Sequence, residues 1–182
     1  MQRTLFRSAL FIFIGAILLL LELILILLGW ATMELPEQKI DTLSLVLAIG
    51  TWVSLLIGVY NLSLLDGLTK QKKFLRITMV GLSCYTLGCV AMLLQWWQLI
   101  FIIPAGLLLT AVGMVLFGAF LQKQNAWLGW EKFIILFVGL YPFLFMFPLV
   151  AIQGVPDYRV NYLWGIPWLL FGINLYLKSK RG

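Results

Sequence analysis

The sequence predicts an all-α, polytopic integral membrane protein of six transmembrane helices. Three observations carry that expectation. Hydrophobic residues make up 63% of the chain and charged residues only 11%, about half the charge of an ordinary soluble domain. The apolar residues gather into six long runs, and nearly every charge falls in the gaps between them. The runs are continuously apolar rather than alternating, which excludes a transmembrane barrel.

A helix needs about 20 residues to cross a ~30 Å hydrocarbon core. The expected spans are 8–30, 43–65, 77–97, 99–121, 133–153 and 160–177. The remaining connectors and tails are too short for a soluble domain, so residues 1–182 read as a single transmembrane domain.

The first run follows Arg3 and Arg7 and ends near Gly29-Trp30-Ala31, which loosely mimics a cleavage site. It is longer than the ~7–15-residue core of a signal peptide, and it contains Glu22. It is expected to be a genuine span. The second run carries Gly50, Ser54 and Gly58 four residues apart, a stripe that lets a neighbouring helix approach closely. Residues 77–121 form a nearly unbroken apolar stretch that would extend about 68 Å as one helix, so it must fold back. Gln95-Trp96-Trp97-Gln98 is the place for the turn, since indoles and amides favour the interface. Trp30, Tyr158, Tyr162 and Trp164 are expected in the same belt, with Trp127, Trp130 and Tyr176 at the other boundary. The fifth run contains Pro142 and Pro148 and the sixth Pro167. Each proline frees a backbone carbonyl that a neighbour must satisfy.

Odd spans share an apolar-Gly-apolar opening at Gly15, Gly81 and Gly139, and even spans a similar close at Gly58, Gly118 and Gly172. This suggests one helical hairpin used three times, about an axis along the membrane normal. All six glycines lie in the half nearer the termini, whereas Trp52, Trp96, Trp97, Phe101, Phe143, Phe145, Phe147 and Trp168 crowd the other half. The helices are expected to pack tightly at one end and splay at the other, unless those rings face lipid instead.

Charge sets the orientation. Alternate gaps divide into a side with eleven cations and two anions and a side with two cations and four anions. Lys and Arg are retained in the cytoplasm, so a plasma-membrane protein with both termini cytoplasmic is expected. The basic residues are scattered beside the spans, so topology and anionic headgroups account for them without nucleic acid. The partners expected are the lipid bilayer, other membrane subunits or a second copy.

The chain has no histidine, which removes the commonest general base and metal ligand. No span holds a carboxylate pair, a nucleophile beside a base, or a phosphate-binding loop. Cys84 and Cys89 point in divergent directions on one helix and cannot pair or complete a zinc site. A gathering of Glu34, Glu37 and Asp41 reads as a solvated loop. No enzyme activity, cofactor or metal is expected.

Glu22 is the exception to an uncharged interior. Ser8, Gly15, Glu22 and Gly29 recur every seven residues, which puts them on one face. That face should turn inward, with Glu22 protonated or bonded to Thr51, Tyr85, Thr86 or Gln95. The leading functional expectation is a non-catalytic subunit or scaffold of a membrane complex. The alternative is a binding or transport protein for a small cation or flat amphipathic molecule, with Glu22, Trp52, Tyr85 and Trp96 around an aromatic pocket. No motif ties the chain to a family; only its size and helix count are similar to those of the substrate-capturing subunits of vitamin importers.

Overall fold

The computed structural model describes residues 2–28, 33–34, 39–40, 42–65, 68, 71–99, 101–123, 131–154 and 158–181. The elements are α1 (Gln2–Leu27), α2 (Thr42–Ser63), α3 (Lys72–Leu93), α4 (Ile102–Lys123), α5 (Glu131–Tyr141), a π-helical segment (Pro142–Met146), α6 (Phe147–Gln153), α7 (Tyr158–Leu163) and α8 (Gly165–Arg181). A two-residue antiparallel ladder, Met33–Glu34 with Lys39–Ile40, lies between α1 and α2. The helices run up and down in chain order, each against its predecessor, and α8 returns to α1 to close a six-rod ring. Both ends of the described chain therefore meet at one end of the bundle.

Among the described residues, five helical runs are long and apolar enough to cross a membrane: Gln2–Leu27, Thr42–Ser63, Lys72–Leu93, Trp97–Gln122 and Phe133–Gln153. The expected sixth is broken at Trp164, and its longer piece, α8, has 17 residues. Pro167 explains the break. It has no N–H for the Leu163 carbonyl and its ring crowds that group, so the chain tightens to a Trp164 N–H bond to Asn161 O at 3.2 Å.

The reversal between α3 and α4 falls where the indoles and amides placed it, and its geometry is specific. Gln95 adopts φ 60°. Its N–H bonds Met92 O at 3.0 Å, and the Trp96 N–H bonds Ala91 O at 2.7 Å. These are the two bonds of a Schellman stop, here with glutamine where glycine is usual.

The seam between α3 and α4 is made of small residues. A Cβ on Gly81 would strike the Thr110 backbone, and one on Gly106 the backbone of Gly81 and Tyr85. Gly50 and Gly58 both turn toward α1 as their spacing predicts, facing Leu18 and Ile12. The glycines do not follow a threefold pattern, however. Gly15 and Gly58 face each other's helices within the first hairpin, whereas Gly118 meets Leu136 of the next, Gly139 meets Val115 of the previous, and Gly172 meets α1. Closing a ring requires contacts between hairpins as much as within them, and the glycines are divided between those two tasks.

Buried aromatics fill the middle of the ring. Trp52, Trp164, Trp168 and Phe171 are all buried, with Trp164 6.0 Å from both Trp52 and Trp168. Tyr162 and Trp164 were expected in an interfacial belt; instead both are interior, because the break at Trp164 turns the start of the sixth rod inward. Trp30, Trp127, Trp130 and the side chain of Tyr158 lie outside the described residues.

Candidate functional site

A cavity of about 420 Å³ opens in the half of the bundle remote from the termini. Its position follows from the fifth rod. Pro142 cannot donate to Val138, and the helix widens into the π segment, where the Phe147 N–H reaches back five residues to Pro142 O. Before that segment, α5 is seated closely on α4 through Gly139 against Val115 and Gly118 against Leu136. Beyond it, no residue of α6 is buried. The rod therefore leaves the ring in its remote half and uncovers the space.

Glu22 lines this cavity from α1, with Trp52 from α2, Tyr85 and Cys89 from α3, and Asn161 and Tyr162 from α7. The carboxylate is 0% exposed. Ser8 and Gly15, two heptads and one heptad before it, seat the same face on α2: Ser8 Oγ donates to Gly58 O at 2.6 Å, and Gly15 abuts Leu55. That tight seam fixes the rotation of α1 and hence the direction of Glu22. Tyr162 Oη donates to Glu22 Oε1 at 3.0 Å. The other oxygen, Oε2, is buried with no hydrogen-bond partner among the described residues.

The partner anticipated from sequence was Thr51, Tyr85, Thr86 or Gln95. Thr86 instead bonds its own helix at Leu82 O, and Gln95 is taken up in the turn. Tyr162 supplies the bond because the proline-induced break turns it inward. No pattern in the sequence carries that signal: Tyr162 stands near the start of its run, where tyrosine reads as an interfacial anchor.

The rings make one wall. Trp52 stacks on Tyr85 with centroids 4.0 Å apart and planes inclined by 30°, and the Tyr85 hydroxyl accepts from Asn161 Nδ2 at 3.3 Å. Trp96 does not join them. It is 59% exposed and stands away from the cavity, because the left-handed Gln95 turns the chain outward there. The start of α4 and α6 add an apolar lining of Phe101, Pro104 and Phe147; Phe101 is 78% exposed. The expected ring-rich half thus divides, with Trp52 and Trp168 inside and Phe101, Phe143, Phe145 and Phe147 outside.

Cys84 and Cys89 are free thiols, the second buried. Among the described residues no His, Cys, Asp or Glu cluster could hold a metal ion; Glu37 and Asp41, and the side chain of Glu34, lie outside them. Comparison with family models, curated proteins and solved structures gives no match for this chain. The fold and cavity define its class at the level of an apolar helical bundle, with helices long and apolar enough to cross a membrane.

Proposed function

We propose that this is a six-span membrane protein, with both termini cytoplasmic, that binds a small amphipathic molecule in the cavity of its outer half. One observation carries the reading: a fully buried carboxyl group with one unpartnered oxygen stands in the lining of a cavity of about 420 Å³. Its volume is within the roughly 300–1,000 Å³ of small-molecule sites. Well-packed interiors keep few voids larger than a water molecule, so a bundle serving only as a scaffold has no need of this one. Glu22 Oε2 suits a cationic or hydrogen-bond-donating group. The Trp52–Tyr85 wall suits a flat apolar body and, by cation–π attraction, the same positive charge. The reading is one of binding without catalysis, in a cavity that holds no histidine.

The sixth rod is assigned as a span although broken, because α7 and α8 both pack along α1, in order, from the cavity to the terminal end. Interrupted helices are tolerated in membranes where neighbours satisfy the freed groups, and Tyr141 Oη does so by donating to Val160 O at 2.9 Å.

The test is purification in mild detergent, followed by denaturation and mass spectrometry of released small molecules. The reading expects a near-stoichiometric amine or other donor-bearing amphiphile, absent from Glu22→Gln and Trp52→Ala protein of normal yield. A preparation that carries partner subunits and no small molecule would instead favour the scaffold.

A further inference from the structure

A second, independent site lies on the opposite half of the bundle, in the groove between α1 and α8. Two hollows there, of about 390 and 520 Å³, share Phe6, Leu10 and Tyr176 and so adjoin along the groove. The hollow at the terminal end is bordered by Arg3, Arg7 and Lys180, with no carboxylate in its lining. Arg3 and Arg7 stand one helical turn apart, on the same face of α1. Lys180 crosses from α8, its Nζ lying 4.8 Å from the centroid of the Tyr176 ring. The second hollow is wholly apolar apart from the Tyr176 hydroxyl, lined by Phe13 and Ile173 and floored by Gly172. Glycine lets α8 lie close to α1 beneath this hollow: a Cβ there would lie 3.3 Å from the Phe13 backbone nitrogen.

Three exposed cations at the head of an apolar slot complement one kind of molecule, an anion attached to a hydrocarbon chain. We propose that this groove holds one anionic phospholipid, with its phosphate among Arg3, Arg7 and Lys180 and an acyl chain along Leu10, Phe13 and Gly172. The inference uses the bilayer placement of the helices and nothing of the remote cavity. Charge complementarity selects the head, since cations beside a span attract acidic lipid. The apolar continuation selects a lipid over a soluble phosphate, because free phosphate has no use for the slot. Lys72 and Lys73, at the start of α3, border neither hollow and serve as an internal control.

The experiment reconstitutes the full chain in nanodiscs of equal phosphatidylglycerol and phosphatidylcholine, then releases it for native mass spectrometry. One retained phosphatidylglycerol is expected, favoured over phosphatidylcholine by about tenfold or more, as several juxtamembrane cations imply. Arg7→Ala with Lys180→Ala should bring the ratio near unity, while Lys72→Ala with Lys73→Ala leaves it unchanged. Gly172→Leu, which fills the slot and keeps every cation, should also remove the retained lipid. Equal retention of both lipids, or indifference to the Arg7 and Lys180 changes, would overturn the proposal. So would indifference to Gly172→Leu in protein of unchanged melting temperature, which would reduce the effect to diffuse surface charge. Displacement by excess glycerol 3-phosphate would identify a phosphate site rather than a lipid site and overturn it likewise. Failure to enter nanodiscs at all would remove the bilayer reading as well, and is distinguishable from each of these.

Discussion

The indole of Trp164 donates through Nε1 to the carbonyl oxygen of Val138 at 2.7 Å. Val138 is the residue whose carbonyl Pro142, four positions later, cannot bond. The fifth rod is thus opened by its proline and mended by a side chain from the sixth. Both groups are buried, and an unsatisfied buried polar group costs about 1–3 kcal/mol. Trp164→Phe should destabilise the bundle by about that amount plus the lost packing. In a Pro142→Ala background a backbone N–H becomes available to Val138, so the same change should cost less. A double-mutant cycle in reversible detergent unfolding measures this coupling, and strict additivity would show the bond to be incidental.

Glu22 gives a prediction of unequal outcomes for two substitutions. Glu22→Gln keeps size and hydrogen-bonding capacity, so it should fold with near-normal yield and retain the Tyr162 contact. Glu22→Lys puts an ammonium beside the Tyr162 hydroxyl, with no carboxylate in the cavity lining to pair with it. It should assemble poorly. Size-exclusion profiles and melting temperatures of the two variants decide the matter; equal behaviour would show that the site is not closed around the acid.

Gln95 and Gly154 test the turns from both directions. Gln95 holds φ 60° with a side chain that disfavours it, whereas Gly154 holds φ 74° without that penalty. Left-handed backbone costs an ordinary L-residue about 1–2 kcal/mol. Gln95→Gly should therefore stabilise the bundle by up to about 1 kcal/mol, and Gly154→Ala should destabilise it by a similar amount. Thermal unfolding of both variants checks the signs.

The helix seams predict a graded response to added methyl groups. A Cβ at Gly139 would run into the backbone of Val115 and Ala111, while one at Gly50 would meet only the flexible end of Leu18 at 3.4 Å. Overpacking costs about 1–3 kcal/mol where neighbours cannot yield. Gly139→Ala should lower stability by that much and Gly50→Ala by far less. Equal losses would mean that the α4–α5 seam adjusts more freely than its backbone contacts allow.

Orientation is checked by reporters. Fusions after Lys73, after Lys123 and at the C-terminus should all report the cytoplasm, and fusions near Glu37 and Asp157 the outside. A C-terminal tag accessible in intact cells would overturn the six-span assignment and the charge argument together.

What the chain determined by itself was an all-helical fold with five runs long and apolar enough to cross a membrane, the reversal at Gln95-Trp96-Trp97-Gln98, and the inward turn of Glu22. Each rests on short-range information: run length against helix rise, amphipathic residues at a break, and small residues at seven-residue spacing that admit a neighbour. The choice of Tyr162 over Tyr85 or Thr51 as the acid's partner was decided only in three dimensions. So were the exclusion of Trp96 and the cavity beside α6. The partner and the cavity depend on how two prolines redirect the fifth and sixth rods, and the place of Trp96 on the left-handed Gln95. A proline announces that a carbonyl is freed but not which side chain will meet it, nor which way the next turn will face. The glycines show the same boundary. Sequence marked them as close-contact positions, yet ring closure, which no local pattern encodes, assigned each one its neighbour.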